Sequence, residues 1–158
     1  MDNSKPGTWL VRYPLLPLLP SAVLYAAALP FDAFCRRESC SGSSGFGILL
    51  TGALGIGLTP ANTTWVANPI LFAGWLATHR NWKTLGVLLS FVALMVGLSF
   101  MHYSTVVTDE SGTPVAITGY RIGYWLWLAS MAASCIGASI GVAIAPPSVF
   151  RRLTNGKQ

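Results

Sequence analysis

Charge is what this sequence has least of. Only 9% of its 158 residues are charged, ten basic and five acidic, against 53% hydrophobic. Soluble domains carry roughly a quarter charged residues, so an ordinary water-covered surface is excluded, and with it intrinsic disorder and a coiled coil. A nucleic-acid partner is excluded too, despite the net charge of +5. Thiols and imidazoles are equally sparse, with three Cys and two His. His79 and His102 fall near opposite ends of one expected helix, and no Cys, His or carboxylate spacing has the pattern of a metal site. No nucleophile–base or paired-carboxylate constellation is present either. The expectation is therefore no catalytic residue, no metal and no cofactor.

The charges that exist fall in clusters, separated by charge-free runs at 13–31, 39–79, 84–108 and 122–150. A helix needs about 20 apolar residues to cross a ~30 Å hydrocarbon core. The first, third and fourth runs each fit one crossing. The second is too long for one straight helix and short for two. It is interrupted at Pro60-Ala61-Asn62-Thr63-Thr64. Residues 46–59 alone would make a helix of about 21 Å, too short to cross comfortably. The reading is a single all-α membrane domain over 1–158, with four spans near 14–30, 46–78, 84–103 and 120–145. The second span is broken, or preceded by a re-entrant helix. Five spans is the alternative.

Counting Lys and Arg near the spans does not choose between them. Four spans put Lys5, Arg12, Arg80, Lys83, Arg151, Arg152 and Lys157 inside, and Arg36, Arg37 and Arg121 outside. Five spans exchange Lys5 and Arg12 for Arg36 and Arg37, with the same balance. Both put 79–83 and the tail on the cytoplasmic side. Three prolines, Pro14, Pro17 and Pro20, predict an irregular start to the first helix, which then runs through Ala28. A signal peptide cleaved near Ala26-Ala27-Ala28 is the rival reading. No expected span centre carries Asp, Glu, Lys or Arg, which argues against a proton relay or a charge-lined pore.

Four groups of residues stand out. Cys35 and Cys40 are the one close thiol pair. In an outward loop they read as a structural disulfide, and thiol redox chemistry is the minority reading because the gap exceeds that of Cys-x-x-Cys. Asn62, Thr63, Thr64 and Asn68 are an uncharged polar cluster at the break, either lining a solute site or capping and bridging helices. Two small-residue ladders step by four, Ser43-Gly47-Thr51-Gly55-Thr59 and Ala129-Ala133-Gly137-Gly141-Ala145. Their glycines Gly47, Gly55, Gly137 and Gly141 are expected to let helices approach closely, within the chain or in a homo-oligomer. Lastly, Trp75 and Trp82, and Tyr120, Tyr124, Trp125 and Trp127, read as interfacial belts. Residues 104–120 are a polar connection in which Thr113 to Thr118 can pair as a short strand.

Three segments carry a resemblance: Leu29-Pro30-Phe31 before the Cys-bearing loop; Trp65-Val66-Ala67-Asn68-Pro69; and Ile117-Thr118-Gly119-Tyr120 leading into Gly123-Tyr124-Trp125-Leu126-Trp127-Leu128-Ala129-Ser130. Together they resemble small multi-pass bacterial membrane proteins of unknown function, over roughly residues 25–135. The resemblance implies a bacterial inner-membrane location and no particular activity. The functional expectation is a non-catalytic inner-membrane protein acting by helix packing or partner binding, as an accessory or protective subunit. Its partners are the lipid bilayer and another membrane protein or a second copy. A small-solute channel or transporter using 59–69 is the alternative, and a thiol-redox protein the third reading.

Overall fold

The computed structural model describes residues 16–36, 39–108 and 112–143. The basic N-terminal arm, Arg37, Glu38, the turn at Asp109-Glu110-Ser111, Ala145 and the basic tail lie outside the described residues.

The chain is mostly helical. A 3-10 turn, Leu16–Leu18, leads into α1, Leu19–Ala28. Pro20 sits in the first turn of α1, where its missing N–H is no loss. Next come β1, Phe34–Arg36, and α2, Gly45–Thr51, which tightens into a 3-10 stretch, Gly52–Gly55. A turn with Gly57 at φ 89°, a left-handed conformation that glycine adopts without strain, reverses the chain. Thr59 then caps α3, Pro60–Thr63, with its hydroxyl accepting from the Asn62 N–H. A 3-10 turn, Thr64–Val66, joins α3 directly to α4, Ala67–His79. α5, Lys83–Ser99, extends as a 3-10 turn to His102. The hairpin of β2, Thr105–Val107, and β3, Pro114–Tyr120, follows, and α6, Ile122–Ala143, closes the described chain.

Two helical stretches are long and apolar enough to cross a membrane: Lys83–His102, 20 residues, and Ile122–Ala143, 22 residues. The break in the second expected span is real, but the chain turns back at 56–59, so Gly45–Gly55 and Pro60–His79 are antiparallel arms rather than one kinked rod. The all-α expectation needs correction. β1, β3 and β2 form a three-stranded antiparallel sheet in that order. The short strand expected within 113–118 is present as β3, which runs on to Tyr120. β1 was not expected, because three residues beside a Cys-bearing turn carry no period. It pairs across one irregularity, where Cys35 faces Gly119 but Arg36 faces Ile117.

α6 lies between α1 and α5, and α5 packs on α4. Small residues set these distances. A Cβ on Gly86 would fall 2.1 Å from Thr78 Oγ1, and one on Gly137 would fall 2.3 Å from the Pro17 carbonyl oxygen. α4 and α5 join through a corner in which Asn81 takes φ 63°. The Asn81 and Trp82 N–H groups donate back to the carbonyls of Thr78 and Ala77, a Schellman end with Asn in place of the usual Gly.

Beside an apolar core that includes Leu71, Tyr124 and Met131, small polar residues are buried while many large apolar ones face outward. Ser21, Ser90, Ser130 and Ser134 are all fully buried, whereas Leu50, Leu54, Val23 and Ile136 are more than half exposed. The serines are satisfied. Ser90 and Ser134 share a bond of 2.8 Å between α5 and α6, and Ser21 Oγ–H donates to the Ser130 carbonyl at 2.7 Å.

Candidate functional site

The sheet and the α2–α3 hairpin together enclose a cavity of about 570 Å³ at the end of the bundle remote from the Asn81 corner. That lies inside the ~300–1,000 Å³ range of small-molecule sites. Its walls come from every part of this end: Tyr25 of α1, Phe34 of β1, Ile48 of α2, Trp65 and Asn68 of the 60–79 rod, Val107 of β2 and Trp127 of α6. Among the described residues no Asp, Glu, Lys or Arg lines it.

Two asparagines build the wall. Asn62 projects from the single turn of α3 toward β2. Its Nδ2–H donates to the Val107 carbonyl at 2.7 Å, and its Oδ1 accepts the Val107 N–H at 3.1 Å and the Thr59 hydroxyl. β2 is an edge strand with unpaired backbone groups, and the Asn62 amide pairs with that edge as a strand residue would. The reciprocal bonds also fix the orientation of the amide.

Asn68 ties three helices together. Its Oδ1 accepts the Tyr25 hydroxyl at 2.9 Å and the Trp127 indole N–H at 2.8 Å, while its Nδ2–H donates to the Trp65 carbonyl at 3.0 Å. These bonds use the acceptor capacity of the oxygen and one amide hydrogen at a residue that is 5% exposed.

Trp65 carries the α2 arm. Its indole N–H is shared between the carbonyls of Ile48 and Leu49 at 3.1 and 3.2 Å. Gly52 sits so close that a Cβ there would lie 2.1 Å from Trp65 Cδ1. The 45–58 segment is thus a lid held at its start by the Gly45 and Phe46 N–H groups and along its length by the Trp65 indole, with Leu50 exposed outside and Leu54 and Leu58 exposed at the cavity's rim.

Of the expected polar cluster, the structure brings Asn62, Thr64 and Asn68 to the cavity wall and leaves Thr63 exposed outside it. Thr64 is buried and returns its hydroxyl to the Ala61 carbonyl. Cys35 and Cys40 stand at disulfide distance, S–S 2.08 Å, closing the loop after β1. Neither lines the cavity. Cys135 is free.

The first ladder does not form one packing face, because its helix changes to 3-10 at Gly52. Gly47 meets only Ser44 Oγ, and Gly55 meets the Asn62 side chain. In the second ladder, Gly137 receives the backbone of Pro17, and Gly141 has only Lys83 Cδ at 3.8 Å.

The aromatic belts also need correction. Trp82 and Trp125 are exposed at the two ends. Trp75, Tyr124 and Trp127 instead turn inward. Trp75 N–H donates to Ser21 Oγ at 3.0 Å and its ring meets Tyr25 and Phe72, bridging α1 to α4. The Tyr124 hydroxyl donates to the Gly97 carbonyl at 3.1 Å. Sequence reasoning missed Tyr25 and Trp127 as partners of Asn68. The available signal was that a buried asparagine requires donors and acceptors nearby.

Compared with family models, with curated proteins and with solved structures, the chain matches none.

Proposed function

We propose that this chain is a non-catalytic, four-span protein of a bacterial inner membrane that works by binding, with the cavity beneath its sheet as the binding surface. The Asn81 corner faces the cytoplasm and the sheet faces outward. The observation that carries the reading is a cavity with no charged side chain among its described lining residues, whose two asparagines are already bonded to the frame. Asn62 and Asn68 are committed to Val107, Tyr25, Trp65 and Trp127. The site offers shape and apolar contact rather than a reactive group.

The exposed apolar surface supports the spans. Large apolar side chains point outward, as a lipid-facing surface requires, and small residues let helices meet inside. The rod Pro60–His79 is continuous and, at 1.5 Å per residue, about 30 Å long. The re-entrant arm 45–55 reaches only part-way. Backbone that turns at this depth is tolerated where protein covers it or it borders a cavity, and here it borders one. A solute path through the bundle is disfavoured. Beyond Asn68, Leu71, Met131 and Ala138 are fully buried, and the nearby serines bond to one another and to the backbone. An accessory role toward another membrane protein is compatible with the exposed apolar flanks.

Cysteine labelling in intact cells tests the topology. In a Cys135→Ser background, Thr105→Cys should react with a membrane-impermeant maleimide from outside. Trp82→Cys should react only after the membrane is opened. Labelling of both from one side would overturn the four-span arrangement.

A further inference from the structure

We infer that the cavity takes a single-chain anionic amphiphile: the hydrocarbon chain lies in the cavity and the acidic head rests on Arg36. This rests on the orientation proposed above, with the sheet outward.

Three observations point to that class. First, the volume. A methylene needs about as much room as a water, ~30 Å³, so 570 Å³ accommodates one long acyl chain and not two. Second, the mouth. The lining residues that are exposed are Thr51, Leu54 and Leu58 of the lid on one side, and Gly42, Thr108 and Gly112 of the sheet loops on the other. The opening therefore runs between a leucine-bearing lid edge and a polar loop edge, an apolar-to-polar boundary that an amphiphile matches along its own length. Leu54 is 83% exposed, which puts the lid edge in contact with lipid and makes the bilayer the source of the ligand.

Third, the charge. Arg36 Nη1–H donates to Thr108 Oγ1 at 3.1 Å, and Nη2–H donates to the Ser41 carbonyl at 3.2 Å. A Cβ on Gly42 would fall 3.0 Å from the same Nη2. The guanidinium does not line the cavity itself; it stands at the loop edge of the mouth, bonded to Thr108 and Ser41, and among the described residues no charged side chain lines the cavity behind it. A guanidinium has five N–H donors in a planar fork suited to carboxylate or phosphate. Two are used by described residues, and among the described residues Nε and one hydrogen on each Nη have no other acceptor. Among the described residues the one carboxylate is Asp32, which accepts the Ser43 N–H at 2.9 Å and does not line the cavity. The shared ligand chemistry is a chain with a carboxylate or phosphate head, supplied as a free fatty acid or as a membrane lipid engaging one of its chains.

The test uses the full chain in phosphatidylcholine vesicles with palmitic acid carrying a diazirine on its chain, and the matching alcohol as the neutral control. The expected result is saturable crosslinking of the acid to peptides from 45–68 and 100–127, with the alcohol about tenfold weaker, as expected for losing charge-assisted hydrogen bonds. Arg36→Gln should lower the acid to the level of the alcohol, and Arg36→Lys should restore part of the difference. Gly47→Leu fills the cavity where a Cβ meets only Ser44 Oγ, and should abolish crosslinking while the maleimide pattern of Thr105→Cys and Trp82→Cys stays intact. Competition by unlabelled palmitate identifies a fatty acid, and competition by phosphatidylglycerol a membrane lipid. Equal crosslinking of acid and alcohol with no effect of Arg36→Gln would remove the anionic head. Non-saturable labelling, or labelling confined to the outer faces of α5 and α6, would overturn the site itself. In both cases an intact maleimide pattern would leave the four-span reading standing.

Discussion

A buried asparagine is rarely neutral to its neighbours, and Asn68 has three of them. Replacing it with leucine leaves the Tyr25 hydroxyl and the Trp127 N–H without an acceptor in the interior. An orphaned buried donor costs about 1–3 kcal/mol, moderated in membranes because the unfolded chain also finds partners. Asn68→Leu should therefore destabilise the fold by about 2 kcal/mol, measured by steric trapping in bicelles. Asn62 has a more local duty. Asn62→Asp keeps the acceptor for the Val107 N–H but sets a carboxylate oxygen against the Val107 carbonyl. Hydrogen exchange should rise by about tenfold at Val106 and Val107 and stay unchanged in α5 and α6. Unchanged exchange at Val107 would mean that β2 does not depend on this amide.

Between elements, glycine matters by how close the neighbouring helix stands. Gly86→Ala should be destabilising by about 1–3 kcal/mol, the usual cost of overpacking, because its Cβ falls 2.1 Å from Thr78 Oγ1. Gly141→Ala should be silent, with only Lys83 Cδ at 3.8 Å. The pair Thr78→Ala, Gly86→Ala should recover most of the loss, giving a coupling energy in a double-mutant cycle. A purely additive cycle would show that the α4–α5 contact is not set by this pair. The two positions look alike in sequence, both glycines in apolar helices. The difference lies in the partner helix, which no single-chain periodicity reveals. The same reason explains the ladders. Spacing by four predicted a shared face for 43–59, but Gly52 under Trp65 and the turn at Gly57 end that helix first.

For the whole molecule, the legible part was whatever depends on hydrophobic length: the two helical stretches long and apolar enough to cross a membrane at 83–102 and 122–143, the irregular start of the first helix, the break near residue 60 and the basic corner. What depended on partners distant in sequence was illegible. β1 exists because β3 offers it an edge, and Trp75, Tyr124 and Trp127 turn inward because Ser21, Gly97 and Asn68 await them. The Cys35–Cys40 link was legible from proximity alone. Its loop is short, so the chain-entropy argument gives it only about 2 kcal/mol. Cys35→Ser with Cys40→Ser should lower stability by about that amount, read as a lower melting temperature, and leave binding in the cavity in place. Loss of binding with an intact maleimide pattern would instead point to thiol chemistry.

The corner at Asn81 bears on how such a protein is made. With a left-handed residue as its pivot and Schellman bonds closing it, the link between the rods 60–79 and 83–102 is too short to let one enter the bilayer while the other waits outside. In the proposed four-span arrangement the two would pass from the ribosome into lipid as a preformed helical hairpin, with the His79–Lys83 cluster as the part left behind. Asn81→Gly keeps that pivot and should insert normally. Asn81→Val, a β-branched residue held at positive φ, should reduce the amount of inserted protein during synthesis more than it shortens the lifetime of protein already in the membrane.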